Sequence, residues 1–266
     1  MEHLFNAWEP FSAACRAADH VLLLADYDGT LTPIFQRPED AILSESMRSR
    51  MILLAGVPGF SLGVISGREL TEVQSLVAIG GIYYSGNHGL EMDGPGFSYL
   101  NSEAQRVTPL IHELAGKLAD ALKEIDGIIL QDKDLSLSVH YRLVKPEQEE
   151  AVAEVVRKLT AAPVERGDIR VFMGKKVWEI RPPVDWDKGN AVETIRREIE
   201  TSCGTKRLLT IYLGDDTTDE DAFKVLRQPD GWSVFVGAER PASAAEYYLE
   251  SPAEVEELFF RLAALE

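Results

Sequence analysis

The sequence has little cysteine. Cys15 and Cys203 stand far apart, and no Cys-x-x-Cys pair occurs. That excludes a disulfide framework and a cysteine-built zinc site, and it fits a reducing compartment. Neither cysteine has a motif around it, so both are expected to be small buried apolar residues. Basic residues are also scarce, 27 Lys and Arg against 44 Asp and Glu, giving a net charge of −17. A surface of that sign repels nucleic acid and anionic membranes, which sets both aside as partners. No apolar run approaches the roughly 20 residues needed to cross a bilayer. The N-terminus lacks a basic stretch leading into a signal-type apolar core, so a soluble cytoplasmic protein is expected. The same negative charge would repel a phosphorylated substrate at long range, so local cations would have to bind it.

What is present is enough for a sizeable core: 266 residues, 45% of them hydrophobic. That length suits one large domain or a core carrying a smaller insert. Short apolar runs at Val21–Ala25, Leu62–Ile65, Ile82–Tyr84, Leu208–Leu213 and Ser233–Val236 read as fully buried parallel strands. Helical patterns lie between them, at Glu45–Leu54, Glu69–Val77, Ala191–Glu200 and Asp221–Leu226. The alternation predicts an α/β fold with a doubly wound, Rossmann-like parallel sheet. Residues 106–181 read differently, as helix, two strands, helix, two strands. Leu135, Leu137, Val139 and Tyr141 alternate there with Ser136, Ser138, His140 and Arg142, as in an antiparallel sheet with one wet face. We therefore expect an α+β cap domain at 106–181 inserted into a core of 1–105 and 182–266.

The first four of these runs each stop at a polar or glycine cluster. Asp26-Tyr27-Asp28-Gly29-Thr30 follows the first, Ser66-Gly67-Arg68 the second, Ser85-Gly86-Asn87-His88-Gly89 the third and Gly214-Asp215-Asp216 the fourth. Open α/β sheets bind ligands beyond the carboxyl ends of their strands, so these clusters should meet at one site. A local Asx turn would explain one Asp before Gly29, but not a second, Asp26, directly on the end of five apolar residues. Carboxylates gathered from two strands repel one another unless a cation lies between them, and oxygen ligands of this kind suit Mg²⁺. Asp219 reads either as metal or outer-shell ligand or as an acid starting a helix, because Thr217 and Glu220 have capping-box spacing. Ser66 and Glu69 have that spacing too, yet a serine beside free helix-end amides is also a phosphate cradle. Lys188 opens a helical run where a cation opposes the helix dipole, which points to function over a solvated surface lysine.

Taken in order, Asp26–Thr30, Ile65–Arg68, Asp187–Asn190 and Gly214–Asp216 resemble the four motifs of the haloacid dehalogenase-like hydrolases. More narrowly, Asp26–Ile34, Gly86–Glu91, Leu137–Arg142, Lys176–Pro182 and Gly214–Phe223 are similar to the trehalose-6-phosphate phosphatases, and the resemblance covers nearly the whole chain after the first twenty residues. It implies a Mg²⁺-dependent phosphatase acting through an aspartyl-phosphate on Asp26, with Asp28 as general acid and base. Asp26, Asp28 (through its backbone carbonyl) and Asp215, with Asp219, would form the metal shell, and Ser66 and Lys188 would hold the phosphoryl oxygens. Lys133, His140, Arg142, Lys176 and Glu179 of the cap would face the sugar, joined from the core by Arg68, Asn87 and His88. Hinges are expected near Ser102–Pro109 and Arg181–Pro183. A monomer is expected, and a trehalose-6-phosphate synthase is the partner protein that the resemblance allows. A phosphatase for sucrose or glycosyl-glycerate phosphate, a phosphotransferase, and a non-catalytic regulatory domain of the same fold stay open at this point.

Overall fold

The apolar run ahead of Asp26 is a central strand of a mostly parallel sheet in the computed structural model, which describes residues 1–239 and 242–265. Along the chain come β1 (Glu2–His3), α1 (Trp8–Ala17), β2 (His20–Ala25), α2 (Glu45–Ala55), β3 (Phe60–Ile65), α3 (Leu70–Val77), β4 (Tyr83–Gly86), β5 (Glu91–Gly94) and β6 (Phe97–Leu100). Next are α4 (Ser102–Leu122), β7 (Ile129–Asp132), β8 (Leu137–His140), α5 (Glu149–Glu165), β9 (Arg170–Gly174) and β10 (Val177–Arg181). The chain then forms α6 (Lys188–Cys203), β11 (Leu208–Gly214), α7 (Glu220–Val225), β12 (Gly231–Val236), β13 (Tyr247–Leu249) and α8 (Pro252–Ala263).

Two units result: Met1–Tyr99 with Trp186 onward, and Leu100–Asp185. In the first, the sheet order is β1-β13-β12-β11-β2-β3-β4-β5-β6. The strands from β1 to β4 run parallel, and β5 turns back antiparallel on β4. After β2 the chain winds to β3 on one side, and it later returns to β11 on the other. The switch point therefore lies at the carboxyl end of β2, directly before Asp26, where such sheets leave a crevice for ligands.

Both sheet faces are covered, as continuous apolar strands require. Val21, Leu23 and Ala25 pack with Met47, Met51, Val73, Leu258 and Phe259 on one face. Leu22 and Leu24 pack with Ala191, Val192, Ile195 and Phe223 on the other. The N-terminal segment, which no sequence motif marked, belongs to the first layer: Leu4 and Phe11 are fully buried, and Phe11 meets Trp232 edge-on at 4.9 Å. Cys15 lies in that layer, and burial pushes its thiol up to about 12. Cys203, expected to be buried, is exposed instead, because α6 ends there.

In the second unit the sheet order is β7-β8-β10-β9, antiparallel throughout. Leu137, Val139 and Ile180 pack with Ile111, Leu114 and Leu118 of α4 and Val152 and Val156 of α5. Alternation then puts Ser138, His140 and Glu179 on the opposite face. That face is not wet in the way the sequence suggests, since Ser136 and Ser138 are buried. The strand expected over Leu135–Arg142 shortens to β8, because Asp134 takes a positive φ of 59° and Leu135 N–H turns back to Lys133 O. Residues Ser102–Pro109, near which a hinge was expected, lie inside α4, with Pro109 in the helix interior. The chain passes between units at Tyr99/Leu100 and at Asp185/Trp186.

Candidate active site

Asp26 directly follows β2 and continues its alternation on the face shared by Leu22, Leu24 and α6. Lys188 is the first residue of α6, fixed by a capping box in which Asp187 and Asn190 bond each other's backbone N–H. Its side chain is 3% exposed, so it is no surface lysine. The ammonium donates to Asp26 Oδ1 at 2.6 Å and to Asp219 Oδ1 at 2.7 Å. Burial alone would lower the Lys188 ammonium, but Asp219 and Asp26 outweigh it and hold the group protonated. Burial pushes the Asp26 carboxyl well above the usual carboxylate range, Lys188 pulls it back, and Asp219 and Asp215 push it up again.

Asp215 closes the group. Carboxylate oxygens of Asp26, Asp215 and Asp219 lie within 4.8 Å of one another. Two glycines leave room for them. A Cβ on Gly29, whose φ is +93°, would lie 2.2 Å from the Asp215 carboxylate, and one on Gly214 would lie 2.3 Å from that of Asp219. Asp219 is fully buried, and its oxygens have four donors: Lys188 Nζ and Tyr212 Oη on Oδ1, and the N–H groups of Asp215 and Asp216 on Oδ2. The capping box expected from Thr217 and Glu220 does not form. Glu220 instead accepts from Ala244 N at 2.8 Å, while Thr218 bonds to Asp216.

Ser66 follows β3 and is buried. It does not cap α3, which starts only at Leu70. Its hydroxyl accepts from Arg68 N at 3.1 Å, and the first amide of α3 is met by Glu91 Oε1 at 2.8 Å. Arg68 itself is buried and donates to both oxygens of Asp28, at 2.7 and 2.8 Å. Asn87 and His88 adopt positive φ values of 48° and 57°. Their N–H groups bond to Arg68 O and Ser66 O, which ties the loop after β4 to the loop after β3.

So one end of one sheet gathers a buried carboxylate, a buried ammonium, a second carboxylate pair and a seryl hydroxyl. The family model described as trehalose-phosphatase matches residues 24–253, most of the chain. The chain belongs to the trehalose-phosphatase family. Among its relatives, "Probable trehalose-phosphate phosphatase 2" of Oryza sativa subsp. japonica is 37% identical over 264 residues, 91% of this chain and 68% of the relative. "Trehalose 6-phosphate phosphatase RA3" of Zea mays is 36% identical over 270 residues, 96% of this chain and 73% of the relative. The solved C-terminal domain of C. albicans trehalose-6-phosphate phosphatase is similar with a TM-score of 0.78 and 26% identity over 97% of both chains. The C-terminal domain of a Candida albicans trehalose synthase regulatory protein shares the fold alone, at 12% identity and a TM-score of 0.69. Fold therefore does not decide chemistry here, and the residues must.

In this trehalose-phosphatase relative the predicted sugar-facing residues of the second unit are spread over several elements. His140 Nε2 lies 2.8 Å from Gln131 Oε1 on the neighbouring strand, and Glu179, one pleat along β10, is ion-paired with Arg181. Lys133 is buried in the turn between β7 and β8. Lys176 leaves that group: its ammonium meets Glu149 Oε1 at 2.7 Å, at the start of α5. Arg142 reaches the backbone carbonyl of Lys175 at 3.2 Å. Sequence reasoning missed Tyr212, Glu91 and Gln131. Glu91 carried a signal as the last residue of the Gly86–Glu91 stretch, and Tyr212 as a buried hydroxyl in β11, a strand that also holds Thr210.

Proposed function

We propose that this chain hydrolyses trehalose 6-phosphate to trehalose and phosphate, as a step of trehalose biosynthesis. The observation that carries the reading is the Lys188 ammonium held between Asp26 and Asp219 at the switch point, with Asp215 alongside. An Asp26 oxygen attacks phosphorus while the bond from phosphorus to the sugar oxygen breaks, and Asp28 gives that oxygen its proton. Asp28 then takes a proton from water as the water displaces Asp26, which restores both carboxyl groups. Ser66 and Lys188 bind the phosphoryl oxygens, where fixed donors in a dry site stabilise developing charge. Asn87 and His88, tied to Ser66 and Arg68, shape the rim.

The donor set fits Mg²⁺. Asp26 and Asp215, with the backbone carbonyl of Asp28, would hold it, beside the one ammonium that Asp26 and Asp219 share. When bound, the ion would neutralise charge on the phosphate. Asp219, its oxygens already shared among four donors, is better read as the group that fixes Lys188 and the Asp215–Asp216 turn. In the Leu100–Asp185 unit we assign substrate selection to Lys133, His140, Arg142 and Glu179, with Lys176 joining if its pair with Glu149 opens. A cytoplasmic monomer supplied by a trehalose-6-phosphate synthase belongs to the same reading.

Phosphate release from trehalose 6-phosphate, sucrose 6-phosphate, glucose 6-phosphate and an aryl phosphate tests it, each with Mg²⁺, with chelator and with Asp26→Asn. Selective, Mg²⁺-dependent release from trehalose 6-phosphate that disappears in Asp26→Asn is expected. Release from another sugar phosphate alone would keep the chemistry and overturn the substrate. No release from any would overturn both.

A further inference from the structure

The two carboxylates that open the first motif have different cations. Asp26 accepts from Lys188, whereas Asp28 accepts a parallel pair of bonds from Arg68, Nε to Oδ2 at 2.7 Å and Nη2 to Oδ1 at 2.8 Å. A planar guanidinium facing a carboxylate in this fork fixes direction as well as charge. Arg68 is itself held from several sides. Its Nη2 also donates to Pro38 O at 2.7 Å, its Nη1 is paired with Glu72, and its guanidinium carbon lies 5.4 Å from the centre of the Tyr27 ring. The Arg68 side chain is 6% exposed, while that of Asp28 is 42% exposed. A buried, over-determined guanidinium therefore grips a carboxylate that would otherwise turn about its own side-chain bonds in solvent.

We propose that Arg68 is the positioning residue of Asp28, setting the direction in which that carboxyl presents its oxygens to the leaving group, and that it is not a sugar- or phosphate-binding residue. The proposal rests on the reading of Asp28 as proton donor given above. A ligand-binding arginine needs donors to spare. Here four of the five N–H groups serve protein acceptors: two grip Asp28, and the bonds to Pro38 O and Glu72 hold the guanidinium that grips it. Proton donation matters in proportion to how poor the leaving group is, because a good leaving group departs as its anion. Removing Arg68 should thus separate two substrates that share the phosphoryl group and differ in the alcohol.

The test is release of alcohol in the first turnover, measured with trehalose 6-phosphate and with p-nitrophenyl phosphate, in the full chain with Mg²⁺. In Arg68→Ala, trehalose release is expected to fall by about 10²- to 10³-fold, and nitrophenolate release by less than about tenfold. Arg68→Lys keeps the charge without the fork and should stay close to Arg68→Ala. Equal losses on both substrates, or recovery by lysine, would overturn the proposal in favour of a simple charge on the phosphate. Should Arg68→Ala fail to fold, Glu72→Gln decides: it loosens Arg68 without touching Asp28, and a fall confined to the sugar phosphate is expected. An equal fall on both substrates, or none, overturns the proposal. The underlying reading fails separately, if the unaltered protein releases no trehalose or if Asp28→Ala releases it as fast.

Discussion

The Tyr212 hydroxyl donates to Asp219 Oδ1 at 2.6 Å, and Lys188 shares the same oxygen. Both partners are fully buried, so the hydroxyl helps fix where the lysine's main anchor sits. Tyr212→Phe removes that donor and little else, because the ring stays packed at 5.8 Å from Phe223. Loss of one such bond corresponds to about 0.5–1.5 kcal/mol. We expect kcat to fall about 2- to 10-fold with KM nearly unchanged. A rise in KM alone would show that Tyr212 acts on substrate binding.

Lys188 compensates two buried carboxylates. Lys188→Met keeps much of the volume and leaves Asp26 and Asp219 without their cation. Removing one partner of a buried ion pair costs about 3–5 kcal/mol. Urea denaturation should show a drop of that order in the metal-free protein. If Lys188 binds the phosphoryl group as proposed, turnover should fall at least about 10²-fold.

Crowding of Asp26, Asp215 and Asp219 predicts that a divalent cation stabilises the fold. Saturating Mg²⁺ near neutral pH should raise Tm by about 5 °C, and Asp215→Asn should remove most of that rise. Burial and its acidic neighbours raise the Asp26 carboxyl in the fold. The folded state thus holds a proton that the unfolded chain has released. In the metal-free protein that contribution is full at low pH and is lost as pH rises through the folded value. Protons and Mg²⁺ compete for the same oxygens, so the cation's effect should begin to shrink well above about pH 4, the ordinary carboxylate range. An effect that persists unchanged down to that range would count against Asp26 as a ligand.

His112 on α4 bridges Asp132 at 2.6 Å and Asp134 at 3.3 Å, one through each ring nitrogen. A metal would take only one of those nitrogens, so the group reads as a charged staple on the turn that carries Lys133. The hydrogen bond to Asp132 raises the imidazole, against a small opposing effect of burial. A raised histidine adds stability that is complete below its unfolded value and fades as pH rises through its folded one. His112→Gln should therefore lower Tm at about pH 5.5 and change it little at about pH 9, by no more than a few degrees because the pair is exposed. Equal effects at both would rule out the charged form.

Much of the core was legible because buried parallel strands read as plain apolar runs, four of which stop at the polar clusters gathered at one end of the sheet. Asp26, Ser66, Lys188 and Asp215 fall where strand ends and a helix start put them. The helix caps were less legible. Ser66 and Glu69 have the spacing of a box, but the amide of Leu70 finds Glu91 instead, and no local rule can see a partner 21 residues away. The fork between Arg68 and Asp28 was hidden for the same reason, since it joins residues 40 apart. In the second unit, alternation set His140 opposite Leu137 and Val139, but Glu179 was named by resemblance alone, and periodicity says nothing of Lys176 pairing with Glu149.

Glu91 Oε1 takes both the first amide of α3 and the side-chain amide of Asn87, each at 2.8 Å. Anyone grafting the four motifs onto a different α/β scaffold would carry across the aspartates, the serine and the lysine and leave this residue behind. The graft would then hold every reactive group with only the backbone bonds of Asn87 and His88 to tie those two loops, a loosely supported site. The smallest transferable unit is therefore the motifs together with the single carboxylate that binds one loop to the next.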